Sequence, residues 1–260
     1  MAKSPLAEVL SNLCDYLSEH KVASSEELKV RIAEGVAGLD GAERLRLEED
    51  LGGDLEEEVF KSITEGTRIS VFSPDLHVKL NYLGEMFHCP PSHSYMADEL
   101  RKAFLRLVRI RSPRVMGAVN EILSGFLEEA GYEVRRGESG VAGVDEEILA
   151  TKGEYRLCLY LMPSIVLLAD CLAELETLAE EEQVFVVPAE RTPAPFITFF
   201  RENREVVDFV KYEGMLMWVV DYVNGAINPF IGRPGDEAVW RNFRSPEQSL
   251  MAAELWMQGV

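Results

Sequence analysis

Few side chains in this 260-residue chain have both the type and the spacing for chemistry. Asp145 is the first of them. It opens "GVDEEILATKGEYRLCLYLMPS", residues 143–164, where an acid precedes one strand-like run, a Lys152-Gly153 turn and a second run. An acid so placed can help to hold a magnesium-type cation. That ion needs at least two converging carboxylates, and hydrolysis adds a lysine to stabilise charge or position water. Glu146, Glu147 and Glu154 are close by, with Glu121 and Glu128 on the helix before. In so acidic a chain the ordinary reading of these five is solvated surface.

A second group is basic. "ELRKAFLRLVRIRSPR" places Lys102, Arg106 and Arg109 on one helical face, with Arg101, Arg111 and Arg114 nearby, and Met96, Leu100, Phe104 and Leu107 on the other. Six cations in fourteen residues can grip a phosphate backbone. They serve equally to neutralise acidic helices elsewhere in the chain. Arg135 and Arg136 extend the patch if the fold brings them near.

The remaining candidates are weaker. "FHCPPSH" gathers His88, Cys89 and His93, with His77 upstream. Zinc wants about four ligands at paired spacings, and two prolines break this set, so no metal site is expected there. A Cys–His nucleophile pair is equally poorly supported, because sequence neighbours seldom face each other. "GESGVAGVD" fits neither the dinucleotide nor the Walker spacing and leads into a strand, so no helix N-terminus waits for phosphate. Asp221 and Asn224 interrupt the apolar "MLMWVVDYVNGAI". Their simplest reading is solvent exposure.

These residues must be positioned by elements that the pattern partly discloses. Leu6, Leu10, Leu13 and Leu17 mark a first helix, and Ser24 with Glu27 forms a capping box for a second. "GAERLRLEEDL" and "DLEEEVFKSI" are two further acidic helices, and "RISVF" reads as a short strand. Ser73-Pro74 opens a helix striped by Leu76, Leu80, Leu83 and Phe87, and another runs from about Tyr95 to Ile110. This first part is either a winged-helix unit or a plain bundle. Ser112-Pro113, a cap followed by proline at the first helical position, marks the joint between a helical domain of residues 1–111 and a second domain of 112–260.

The second part mixes helices and strands. A helix with Val115, Val119, Ile122 and Phe126 on its buried face ends at Gly131. Then come "YEVRRG" as a strand, the 146–162 hairpin, and a long helix from Ser164 to about Glu181. "QVFVVPA" is a buried-type strand, Thr192-Pro193 starts a short helix, and "REVVDFV" reads as a further strand before the apolar segment. The last thirty residues are weakly patterned. The expectation is an α/β domain with a central mixed sheet.

This order and its local wording resemble the restriction-endonuclease-like superfamily, whose active members carry the PD-(D/E)xK motif, and within it the Mrr-type branch. The likeness covers residues 113–230. It rests on "FLEEAGYEVRRGESGVAGVDEEILATKGEYRLCLYL" and "VFVVPAERTPAPFITFFRENREVVDF". The resemblance implies a metal-dependent nuclease in which Asp145 is the first acid, and an acid and a lysine follow two residues apart on the next strand. Side chains alternate along a strand, so only that spacing puts both on one face. Here one face offers Leu157, Leu159 and Leu161 and the other Arg156, Cys158, Tyr160 and Met162. Neither register supplies the pair, which leaves Asp145 vestigial.

Charge bears on partners. Acidic residues outnumber basic ones by 45 to 26, for a formal charge of −19. Residues 113–260 alone hold 25 acidic and 12 basic side chains. Such a field repels nucleic acid and anionic lipid as default partners. No signal-peptide core or membrane-length apolar run is legible, and four scattered cysteines read as reduced thiols, so the expected location is the cytoplasm. Trp218, Met215, Met217, Phe196, Phe199 and Phe200 are more than one sheet face obviously needs: most read as core, and part as a subunit interface, where such side chains are enriched. The expected role is binding or assembly, through a homo-oligomer or a protein partner and without a cofactor. The alternative is a nucleic-acid-binding protein or a nuclease with a rearranged Mg2+ site.

Overall fold

The structure, a computed structural model, describes residues 5–65, 76, 78–91, 96–174, 182–212 and 214–258. The chain folds as two compact units, Met1–Ile110 and Arg111–Val260.

In the first unit, α1 (Pro5–Glu19) and α2 (Ser25–Ala37) present Val9, Leu10, Leu13, Leu28 and Ile32 to a shared core with α3 (Gly41–Leu51) and α4 (Leu55–Glu65). The capping box expected at Ser24 is formed: its hydroxyl accepts from the Glu27 N–H, and Glu27 accepts from the Ser24 N–H, each at 3.1 Å. Asp40 and Glu43 cap α3 in the same way.

The helix expected through Leu76, Leu80, Leu83 and Phe87 is instead a hairpin, β2 (Val78–Tyr82) and β3 (Glu85–Cys89). Leu83 and Gly84 form its two-residue loop, both at positive φ (52° and 82°), the geometry that suits the twist of paired strands. The four apolar residues fit a helical stripe, but Leu80 and Phe87 also meet as a cross-strand pair, and the turn decides between the two. With the short β1 (Ala23–Ser24) added to β3, the unit holds a three-stranded sheet, so it is not a plain bundle. "RISVF" and Ser73-Pro74 lie outside the described residues.

The expected break at Ser112-Pro113 is absent from the backbone. One helix, α5, runs from Ala97 to Glu129 with Pro113 inside it. A proline removes one backbone hydrogen bond and crowds the preceding turn. Apolar stripes on both sides outweigh that cost: Phe104 and Leu107 are buried in the first unit, and Val119, Leu123 and Leu127 in the second.

The second unit is a six-stranded mixed sheet with helices on both faces. Its strands stand in the order β4 (Glu133–Gly137), β5 (Glu146–Lys152), β6 (Tyr155–Leu161), β7 (Glu182–Pro188), β8 (Leu216–Asp221) and β9 (Ala226–Ile231). The first three form an antiparallel meander, β6–β7 and β7–β8 are parallel, and β8–β9 is antiparallel. One face buries Ile148, Leu159, Leu161, Val186 and Trp218 against α5 and α9 (Glu237–Asn242). The other buries Tyr160, Phe185 and Met217 against a 3-10 turn (Ile165–Leu167), α6 (Leu168–Glu174) and α7 (Ala194–Glu202).

"REVVDFV" is helix α8 (Arg204–Tyr212), not a strand. Val206, Val207 and Val210 recur at helical spacing, and in so short a run that periodicity wins over β-branched composition. The long helix expected from Ser164 begins as a 3-10 turn that leads into α6 (Leu168–Glu174), and its expected remainder, residues 175–181, lies outside the described residues. The weakly patterned C-terminus forms α9 and α10 (Pro246–Gln258).

Candidate functional site

The β5–β6 hairpin is central in the sheet and closed by Gly153-Glu154, with Gly153 at φ 57°. Asp145 immediately precedes β5 at the end opposite that turn, and its N–H donates to the Leu161 carbonyl at 2.8 Å. This end also carries the carboxyl ends of the parallel strands β6, β7 and β8, where open α/β sheets place their ligands. The loop before it is tied down. The Ala142 N–H donates to Glu174 at 2.8 Å, and a Cβ on Gly143 (φ 77°) would come within 3.0 Å of Leu167.

Asp145 is exposed and accepts a hydrogen bond from the Ser112 hydroxyl at 2.5 Å. Neighbouring carboxylates are each engaged separately. Glu146 accepts from the Asn120 side-chain amide, Glu147 from the Cys158 thiol at 3.4 Å, and Glu190 from the buried Ser164 hydroxyl at 3.0 Å. Glu146 and Glu147 point to opposite faces of β5, as consecutive strand residues must. Glu121 and Glu128 are exposed on α5, and Glu154 is exposed at the hairpin tip, remote from Asp145. Among the described residues no three His, Cys, Asp or Glu side chains converge as metal ligands would.

The register fixes what stands beside Asp145. Glu146 pairs with Leu161, Ile148 with Leu159, and Glu147 with Tyr160. Leu159 and Leu161 are both 0% exposed and belong to the core beneath α5. On the other face, Cys158 and Tyr160 are buried, and burial first, then the Cys158 side chain and Glu147, pushes the Tyr160 phenol up. An acid–lysine pair is absent on both faces.

The basic run is not a continuous open face. Arg106 turns inward: Nε donates to Glu27 at 2.6 Å, and Nη2 to the Val22 carbonyl at 2.5 Å. Glu27 also accepts from the Tyr16 hydroxyl, whose pKa is pushed up to about 12 by burial and by that carboxylate. Lys102 pairs with Glu99 at 2.9 Å. Arg101, Arg109 and Arg114 are exposed, Arg111 is half-buried, and Arg136 donates to Ser124 at 2.7 Å.

His88 and Cys89 are neighbours on β3, and His77 and His93 lie outside the described residues. His88 meets the Ser25 hydroxyl through Nε2 at 2.8 Å and the Phe60 ring edge-on. Its pKa is lowered to about 4 by burial and by Lys79 opposite it. Asp221 turns back on its own loop, accepting from the Val223 and Asn224 N–H groups and from the Asn224 side chain.

Sequence reasoning missed one cluster. Lys152 Nζ reaches Asp236 at 2.7 Å and lies over the Tyr132 ring, while Glu182 accepts from the Gly235 N–H at 2.9 Å. Asp236 also caps α9 through the Ala238 N–H. Burial raises the Asp236 carboxyl, but Lys152 and the N–H of Ala238 together hold it below the usual range. Burial raises the neighbouring Glu182. The cluster ties the hairpin tip to the loop after β9, and a separation of 84 residues hides it from sequence inspection.

Residues 114–245, just over half of the chain, match a family model described as the C-terminal domain of DUF6834, a domain of unknown function. The chain belongs to this family. No curated protein matches it. The DUF6834 match begins inside α5 and ends before α10, so it takes in the whole six-stranded sheet, Asp145 and the Lys152–Asp236 cluster. No described helix is long and apolar enough to cross a membrane.

Proposed function

We propose that this protein is a non-catalytic binding or assembly protein built on a degenerate restriction-endonuclease-like scaffold and working in the cytoplasm. The observation that carries the reading is β6, where Leu159 and Leu161 on one face and Cys158 and Tyr160 on the other are buried, so neither register offers the acid and lysine that the resemblance calls for. The order helix, three-stranded meander, helix, parallel strand supports the likeness, as does Asp145 at the head of the hairpin. An isolated exposed carboxylate bonded to a serine gives a magnesium-type ion one ligand where it needs several.

The nucleic-acid alternative has less support. Its central cation, Arg106, is committed to Glu27, and the first turn of α4 carries Glu56, Glu57 and Glu58. The test is incubation of the full chain with plasmid, single-stranded DNA and RNA in Mg2+ or Mn2+. No turnover is expected. Cleavage that disappears in Asp145→Ala would overturn the reading.

A further inference from the structure

The second unit carries a groove remote from Asp145 in sequence, and the geometry points to a docking site there for a cationic amphipathic helix of a partner protein. This deepens the binding role proposed above and rests on it. The groove is a cleft of about 480 Å3 between the end of α7, α8 and the last turns of α10. Its apolar lining is the half-buried Val207 and Met257, with Phe200 itself buried. Its rim carries Asp208 and Glu254, with Arg204 one turn before Asp208 as the one cation among the described lining residues.

Beside the cleft, α10 turns an apolar ridge to solvent. Met251 is 67% exposed and Leu255 47%. Residues 251, 254, 255 and 258 are spaced i, i+3, i+4 and i+7, so they share one helix face. That face is distinct from the inward one, where Ala253 is buried and Trp256 packs on Phe196 and Phe230. Two large exposed apolar side chains one turn apart, next to a cleft lined by Val207 and Met257, are how a groove engages the apolar face of a helix.

Charge selects the partner's sign. Asp208 and Glu254 are exposed acids without an ion-pair partner in the described structure, in a unit with 25 acidic against 12 basic residues from position 113 onward. A second copy of this chain would bring like charge to like charge, whereas a lysine- or arginine-bearing helix is attracted. Its aliphatic stems fit over Val207 and Met257, and its cationic heads reach Asp208 and Glu254. Arg204 sets direction by favouring a carboxylate or a helix C-terminus at that end of the groove.

The experiment uses the full chain and a fluorescein-labelled leucine–lysine amphipathic peptide of about five helical turns, read by anisotropy at near-physiological salt. A peptide with glutamate in place of lysine is the charge control. Met251→Ser with Leu255→Ser, and separately Asp208→Asn with Glu254→Gln, should each weaken binding about tenfold or more. Glu121→Gln with Glu128→Gln, an equal charge change on an exposed face of α5, should change it less than about twofold. All are surface substitutions, so matching thermal unfolding confirms that each variant is folded. Equal loss in the α5 control would mean general charge attraction and overturn the assignment. So would unchanged binding on removal of Met251 and Leu255, or a dimer of the full chain that those substitutions dissolve. If docking fails while the chain still cuts no nucleic acid, the scaffold reading stands and the partner class falls.

Discussion

Arg106 has the sequence signature of a surface cation on a basic helix, yet its guanidinium is spent inside the first unit. Its partner Glu27 is 0% exposed and already serves as the capping-box acid of α2. An ion pair in such surroundings contributes modestly as a pair, because both charges are desolvated, but losing one member strands the other. Arg106→Met should therefore cost about 3–5 kcal/mol in urea unfolding. Adding Glu27→Gln should recover part of that loss, since the amide needs no counter-charge. Failure of the second change to recover stability would mean that Arg106 acts through packing and its bond to the Val22 carbonyl. His88 is the other buried titratable group whose state matters. Its folded pKa of about 4 lies below the ordinary 6.5, so the unfolded chain binds the proton more readily between those values. Its contribution is complete above pH 6.5 and is lost as pH falls toward 4. At pH 5 the loss should reach about 2 kcal/mol, before most carboxylates titrate. His88→Asn should flatten stability between pH 6.5 and 5, and an unchanged slope would place the acid sensitivity elsewhere.

At the scale of elements, the β5–β6 hairpin tests the idea of a lost catalytic strand. Restoring the missing side chains as Leu159→Glu with Leu161→Lys puts two ionisable groups where both residues are fully buried under α5. Each leucine contributes about 1.5–3 kcal/mol by burial, and an unpaired buried charge adds its own penalty. The expected outcome is a protein destabilised by more than about 4 kcal/mol in denaturant titration, with no metal-dependent cleavage. A folded, active double variant would show that the scaffold kept its site intact apart from two residues. The same hairpin was legible in sequence to within one residue, since Gly153 marks the turn and alternation marks the strands, while Lys152, expected at the tip, pairs with Tyr155. Other elements were legible only in part, for reasons their residues make plain. Leu80, Leu83 and Phe87 satisfy a helical period as well as a hairpin with Leu83-Gly84 at its tip, and only cross-strand pairing settles which forms. Val206, Val207 and Val210 suggest a strand by type and a helix by spacing. Pro113 argues for a helix start, but tertiary burial on both sides carries α5 through it. The Asp145–Ser112 bond and the Lys152–Asp236 tie join residues 33 and 84 positions apart, and no local pattern encodes such long-range ties.

Across the whole molecule, the surplus of acid is the dominant long-range force. Local ion pairs such as Lys29–Glu57, Arg44–Glu48 and Arg233–Glu237 are exposed, each contributing about 0–1 kcal/mol, and salt weakens them. Salt also screens the mutual repulsion behind a formal charge of −19, which no set of neighbouring pairs cancels. The two effects oppose each other, and magnitude decides between them. Ion pairs at contact distance lose little at moderate salt, because their separation is well inside the screening length of about 8–10 Å. Repulsion among acids spread over the surface acts at and beyond that length and is largely removed. Stability should therefore rise with ionic strength. Between low salt and about 0.3 M NaCl, a gain of about 1 kcal/mol corresponds to a Tm increase of about 2–4 °C for a chain of this size. Scanning calorimetry across that range checks it directly. A flat or falling Tm would mean that the acids are locally compensated to a degree their count does not suggest, and it would weaken the electrostatic case for a cationic partner at the α8–α10 groove.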